Sequence, residues 1–557
     1  MTRARTRSVA LRRIALLALV VAVGYLVLLP LYRLQHEALA DGAAGYEAAF
    51  TAPRVGRTIR YTIALAFGSL AIAMVLGTLL AWAATRLPRR LGFLRVVPIL
   101  PIVVPAIASV IGWAFLLSPR PGYVNVALRK LPWWSDLDQG PINVFTVPWI
   151  IIVTGISLTS FVYLFVSAGF AQISGDHIEA AQVAGSGSWG VFFKVILPLL
   201  RPSLTYGGGV ALLLGLGQFT APLLLGRNGG IDVVTTDMYR AMANYPPQYG
   251  RAAALGSTLL LFGLIVVFAQ RVLLGDHRRF VTHGGKAFRP ERTRSWLAAI
   301  GLVAYSTVAT VLPLGALAVV SLSKFWTADI DVGSFVLDNY RDLFDQATIT
   351  DGIKNSILIS LIAVAICLPL GFVIANVLLR GTRFRILRAA LDVIVALPLG
   401  IPAVVFGVGF LMAYTQGPLV LYGTRWVIVL VYVTLMLPFT TRMQLSALVS
   451  FGNSYLEAAR VSGSGLIAAN LKVVVPMMRS TLGGAAALMF VLLTHEFAAS
   501  MLVRSSTTQV MGTVLYNTWS SGSYPLVAAI ALVMTAVTAV GVLVAVLLAG
   551  SDVLSRL

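Results

Sequence analysis

Two glutamates pose the first question about chemistry. Glu179 heads the stretch EAAQVAGSGSWGVFFKVILPLLR (179–201), and Glu457 heads EAARVSGSGLIAANLKVVVPMMR (457–479), with 11 of the 23 positions identical at an offset of 278. Neither copy holds a catalytic nucleophile, a metal-ligand cluster or a phosphate-cradling loop. A carboxylate near the start of a short helix favours the positive end of the helix dipole. The Gly-Ser-Gly at 185–187 and 463–465 then ends that helix in a tight turn. An apolar segment follows as far as Pro198 or Pro476, where the next helix is expected to begin. A rigid projection of this kind does mechanical work by fitting the cleft of a partner. Two copies in register argue against an ordinary amphipathic loop.

A third glutamate is unusual for its surroundings. Glu496 stands in an apolar run, and counting ~1.5 Å per residue from Thr481 places it ~22 Å along, past the middle of a ~30 Å bilayer core. Its repeat partner is Gln218. An ionisable group at that depth is a functional candidate. Two readings stand: Glu496 lines a route and attracts a cation, or it is a structural carboxylate, protonated or hydrogen-bonded to a neighbouring helix. The adjacent His495 points to a different helix face, so the pair does not read as a metal site. The five histidines are scattered without ligand spacing, and the single Cys367 sits in an apolar run, which leaves neither a disulfide nor a metal cluster to expect.

The elements that must position these residues are membrane helices. Of 557 residues, 58% are hydrophobic and only 11% charged, far from the composition of a soluble domain. Twelve apolar runs long enough to cross a bilayer lie near 14–32, 60–84, 95–117, 146–170, 204–226, 252–274, 296–321, 355–379, 390–414, 425–447, 481–503 and 524–549. The net charge of +21 resides in short loops, as membrane orientation requires, so nucleic acid is not an expected partner. Residues 1–13, 85–95, 271–294 and 380–388 are arginine-rich and assigned to the cytoplasm, which places both termini and both Glu-Ala-Ala stretches inside. The N-terminus is basic and then apolar, like a signal peptide, but its long apolar run reads as a retained first span. The acidic run 329–351 falls outside and reads as a solvated loop rather than a docking site for a basic partner.

The chain repeats itself. YTIALAFGSLAIAMVLGTLLAWAATR (61–86) aligns with NSILISLIAVAICLPLGFVIANVLLR (355–380), matching Gly77 to Gly371. PILPIVVPAIASVIGWAFLL (98–117) aligns with VALPLGIPAVVFGVGFLMAY (395–414), matching Pro105 to Pro402. The expected fold is an all-α polytopic membrane protein of twelve transmembrane helices in two parallel six-helix repeats. The repeats occupy 1–274 and 296–557, and a basic cytoplasmic linker occupies 275–295.

The repeated stretch resembles the EAA loop of the permease subunits of type I ABC importers. The residues that carry the resemblance are Glu179, Ala180, Ala181, Gly185 and Pro198 in the first copy, and Glu457, Ala458, Ala459, Gly463 and Pro476 in the second; Val475 departs from the usual leucine. The resemblance implies that 173–198 and 451–476 each dock on one copy of a separate ABC ATPase. It also implies that an extracytoplasmic substrate-binding protein delivers the substrate. ATP and magnesium would bind the ATPase, since this chain has no GxxxxGK[ST] and binds no cofactor of its own. The expectation is therefore a pore subunit in a bacterial cell membrane, with no catalytic and no metal-ligating residues. Fusion of both halves in one chain looks most like the ferric-iron permeases, with thiamine, 2-aminoethylphosphonate and polyamine permeases as alternatives. A secondary transporter of the major facilitator type also has twelve spans in parallel halves. It has no use for the repeated loop, and it carries an Asp in the segment that here reads TRLPRRLGFLR (85–95).

Overall fold

The computed structural model describes residues 2–274, 295–380, 384–417, 419–452 and 454–549. Apart from Ser295, the expected linker 275–295 lies outside the described residues, as does the C-terminal segment 550–557. Among the described residues nine helices are long and apolar enough to cross a membrane, and three bent helix pairs complete twelve when each counts as one span. They follow the order read from the sequence, with several ends displaced. The first helix extends over Thr2–Phe50, with a break at Ala40–Ala43, instead of stopping near residue 32. The eighth starts at Ala347.

The third and ninth spans are broken at equivalent prolines. Arg90–Val103 and Ala106–Leu117 meet at 91°, and Arg385–Leu399 and Ala403–Tyr414 at 111°. Pro105 and Pro402 sit at the breaks with extended ψ values of 130° and 141°. Proline has no N–H to offer the preceding turn and pushes the residue before it out of the helical region, so a bend is the expected result.

Equivalent helices make equivalent contacts. Val55–Thr85 packs along Val147–Phe170, as Ala347–Arg380 packs along Arg425–Phe451. The matched Gly77 and Gly371 are the crossing points: a Cβ would lie 2.8 Å from the Val162 side chain in the first case and 2.7 Å from that of Thr440 in the second. Each half also reaches across to the other. The first span packs on Ala403–Tyr414 of the second half, and Leu312–Leu322 packs on Ala106–Leu117 of the first. The apolar core is therefore continuous between the halves, running through Leu34, Phe115, Leu317, Phe406, Phe410 and Tyr432.

Chain alternation puts the two Glu-Ala-Ala stretches at one end of the bundle, here termed the loop end. The short helices Val234–Ala243 and Met511–Ser520 follow the fifth and eleventh spans at the opposite end. The Thr62 hydroxyl accepts the Val234 amide at 2.9 Å, and the Ser356 hydroxyl accepts the Met511 amide at 2.8 Å, fixing both helices in the same way.

Candidate functional site

At the loop end, Gly175–Val183 and Ser454–Val461 are the two short helices. Each closes in a Schellman turn. In the first copy Gly185 has φ +82°, its amide donates to the Gln182 carbonyl at 2.9 Å, and the Ser186 amide donates to the Ala181 carbonyl at 3.0 Å. In the second, Gly463 has φ +87°, with Gly463 to Arg460 and Ser464 to Ala459 both at 3.0 Å. The left-handed conformation explains the glycine at each position. Two local expectations are corrected. Glu457 does lie in its helix's first turn, but Glu179 lies mid-helix and Asp176 takes the first-turn place, because the N-cap is Ser174. The apolar segments do not end where a helix begins at Pro198 and Pro476. They are helical themselves, with five-residue π-turns at Phe192–Ile196 and Asn470–Val474, and the next helices start at Arg201 and Arg479.

One face of each projection is anchored and the other is bare. Ile178, Val191, Phe192 and Ile196 are buried in the first copy, and Leu456, Ala469 and Val474 in the second. Trp82 packs at a tilt against Phe192 with ring centroids 4.5 Å apart, and the Arg86 guanidinium lies 3.9 Å over the Trp82 ring. Glu179, Ala180, Glu457 and Ala458 are exposed, while Ala181 and Ala459 are half-buried. Val183 and Val461 are each 90% exposed, the same value at the same repeat position.

Between the halves the spans carrying Gln218 and Glu496 are interrupted. Arg201–Leu216 and Arg479–Thr494 stop, and short helices restart at Thr220 and Ser500. Glu496 is therefore not in mid-helix as expected, but in the break. The Ala499 and Ser500 amides donate to its carboxylate at 2.8 and 2.9 Å, and the Ser500 hydroxyl donates at 2.6 Å, the arrangement of a hydrogen-bonded structural carboxylate. His495 Nε2 pairs with the Thr538 hydroxyl at 2.7 Å, on another helix. The Gln218 carbonyl accepts from the Thr235 hydroxyl. Among the described residues no three His, Cys, Asp or Glu side chains converge.

The residues following Gln218 and Glu496 are the ones the sequence reading passed over. Phe219 and Phe497 meet across the halves with centroids 5.4 Å apart. Phe219 contacts Tyr239 at 5.8 Å, Phe497 contacts Tyr516 at 5.9 Å, and Tyr239 faces Tyr516 edge-on at 6.3 Å. Phe219 and Phe497 are 2% and 3% exposed, so this four-ring plug is closed. The signal was present in the repeat, since both pairs occupy equivalent positions, but phenylalanine in an apolar run looks like any core residue.

Residues 73–278 match the family model for the binding-protein-dependent transport system inner membrane component, a range that takes in the whole of the first Glu-Ala-Ala stretch. The family resemblance thus falls on the first half of the chain. It is 25% identical to the ferric transport system permease protein FbpB of Actinobacillus pleuropneumoniae over 81% of this chain and 65% of that protein. To a putative ferric transport system permease protein of Haemophilus influenzae it is 26% identical, over 79% of this chain and 69% of that one. The chain thus spans about two thirds of the length of these relatives. A chain from the crystal structure of a bacterial alginate ABC transporter, in complex with an alginate pentasaccharide-bound periplasmic protein, aligns over 51% of this chain and 99% of its own, at 22% identity and a TM-score of 0.41. With nine long apolar helices among the described residues, or twelve if each bent pair is one span, the chain is a multi-pass membrane protein.

Proposed function

We propose that this permease forms the translocation pathway of an ATP-driven importer and is moved by two copies of a separate ATPase. The observation that carries the reading is the duplicated projection. Two helices of nearly equal length, each ended by a Schellman glycine, present Glu179 with Val183 and Glu457 with Val461 at one end of the bundle. Val183 and Val461 suit an apolar pocket, and the glutamates suit basic residues at its rim. The second copy lies beyond the residues matched by the family model, and its 11 identities with the first support the same role.

In this reading Glu179, Ala180, Ala181, Gly185 and Pro198, with Glu457, Ala458, Ala459, Gly463 and Pro476, build the two ATPase contacts. The loop end and both termini are cytoplasmic. ATP and magnesium are held by the ATPase, and a substrate-binding protein docks at the opposite end. The halves 1–274 and 296–557 rock about the aromatic plug, which is closed here, and ATP binding draws the projections together to open it. The substrate is ferric iron, a reading supported by the two ferric transport relatives.

The test is uptake into proteoliposomes by the complex of this chain with its ATPase and binding protein. Ferric iron, thiamine, 2-aminoethylphosphonate and spermidine are each supplied in turn. Wild type takes up ferric iron. The double variant Glu179→Lys and Glu457→Lys inserts normally, releases the ATPase and loses uptake. Full uptake in that variant would sink the coupling assignment, and uptake of another of the four substrates would replace ferric iron.

A further inference from the structure

Just beyond the aromatic plug the end of the bundle opposite the loops carries unspent positive charge. Arg227 follows the helix Thr220–Leu225, and Arg504 follows Ser500–Val503. They are equivalent residues of the two repeats, aligned when one position is dropped from the first copy. Both interact electrostatically with Tyr239, and Arg504 does so also with Tyr516 and Tyr422. Burial pushes the Tyr239 phenol up to about 12, so it is a neutral hydroxyl. Arg504 is half-buried, yet its hydrogen bond goes to a neutral group, the Asn517 side-chain oxygen, at 3.0 Å. Among the described residues neither guanidinium is within ion-pair distance of a carboxylate. The nearby acids are already used: Asp232 pairs with Arg240, and Asp237 with Arg251 at 2.8 Å. A guanidinium offers five N–H donors, so most of those on Arg504 remain available.

We propose that Arg504 and Arg227, with the hydroxyls of Tyr239, Tyr516 and Tyr422, form an oxyanion-binding site at the mouth of the plug. The cargo then enters as a carboxylate- or phosphate-type oxyanion, or as a metal ion wrapped in such ligands, and not as a bare cation. This deepens the importer reading and rests on it for the site's place on the route. The physical argument is one of sign. A bare trivalent ion approaching two unpaired guanidiniums is repelled, whereas an oxyanion gains charge-assisted, bidentate hydrogen bonds in a partly dehydrated site. Ferric iron, a hard cation, takes oxygen ligands of this class, so its charge would reach the plug already masked.

The experiment is calorimetric titration of the chain with its ATPase in lipid nanodiscs, at fixed ionic strength. The probes are inorganic phosphate, citrate and ferric citrate. Wild type binds at least one saturably. Arg504→Gln weakens that binding about tenfold or more, as expected for a lost charged hydrogen bond. Arg504→Lys recovers part of it. The exposed Arg227→Gln, which places no demand on folding, weakens binding several-fold, and Arg385→Gln, exposed at the loop end, leaves it unchanged. Tighter binding of ferric citrate than citrate assigns the metal complex, and equal binding assigns the free anion. Undiminished affinity in both Arg504→Gln and Arg227→Gln, or no saturable binding of any probe, overturns the proposal. If the ATPase still co-purifies and uptake persists in that case, the oxyanion site alone falls. If the ATPase fails to co-purify with wild type, the importer reading falls instead.

Discussion

Gly409 lies directly against the backbone of Pro30, so closely that a Cβ there would stand 2.6 Å from the Pro30 carbonyl oxygen. The same seat recurs in the other direction, with Gly112 against Pro313 at 2.5 Å. Each half thus clasps the other through its own first helix. Replacing Gly409 by Val forces these helices apart and is expected to cost about 1–3 kcal/mol, the usual price of overpacking. Gly112→Val behaves alike. Gly301→Val, where a Cβ meets nothing within 4 Å, stays near neutral. Thermal unfolding in detergent separates the three. An equal loss for all would show that the clasp contributes no more than any other helix surface.

The turn glycines give a second prediction. Gly185 and Gly463 hold φ values of +82° and +87° with open space around them, so the cost of Ala there is conformational rather than steric. A left-handed non-glycine residue costs roughly 1–2 kcal/mol. That is small against the whole fold but large for a nine-residue projection. Gly185→Ala with Gly463→Ala should leave expression and insertion intact and reduce ATPase co-purification several-fold. An unchanged yield of ATPase would mean that the turn's shape is irrelevant to docking.

These turns were readable in the sequence because a glycine at the end of a short polar helix has few other uses, and because it occurs twice. The twelve spans were readable because lipid admits few alternatives to an apolar helix. The breaks in the third and ninth spans were not read, although Pro105 and Pro402 were matched between the repeats and proline disrupts a helix. Glu496 was placed wrongly at mid-helix. Hydropathy runs on through 481–503, but the helix ends at Thr494, and nothing apolar marks a break that a carboxylate then caps. The plug was invisible because Phe219, Phe497, Tyr239 and Tyr516 come from four separate segments. Only their packing across the halves distinguishes them from other aromatics.

The plug itself can be tested for leak. If the four rings close the route, Phe219→Ala with Phe497→Ala removes the central contact at 5.4 Å and leaves a gap between the tyrosines. Proteoliposomes carrying the double variant should release a small trapped ion without ATP, whereas wild-type vesicles hold it. Vesicles that remain tight would place the closure elsewhere along the bundle.

A fourth prediction uses the asymmetry between repeats. The Asp232–Arg240 ion pair in the first half stands where the second half has Gln509 and Asn517, whose side chains hydrogen-bond at 3.2 Å. Copying the neutral pair into the first half, as Asp232→Gln with Arg240→Asn, should be nearly neutral for stability. Arg240→Ala alone leaves a half-buried carboxylate without its partner and should cost about 1–3 kcal/mol. A double-mutant cycle on unfolding midpoints reads the difference. Additive losses would mean that the pair is not coupled.

The last prediction separates the two roles open to Glu496. Its carboxylate accepts three hydrogen bonds, two from the Ala499 and Ser500 amides and one from the Ser500 hydroxyl. Glutamine has one acceptor oxygen, and its NH2 would face an amide donor. Glu496→Gln should therefore destabilise the restart of the helix at Ser500 by about 1–3 kcal/mol, and Glu496→Ala by at least as much. Because Ser500 also meets the buried Tyr432 hydroxyl at 3.0 Å, the loss should spread to that contact. A structural carboxylate predicts lower thermal stability with uptake per folded molecule preserved. A carboxylate on the route predicts the reverse: intact stability, and uptake that falls while the ATPase stays bound. The geometry favours the first outcome, since three donors already claim the oxygens that a passing cation would need.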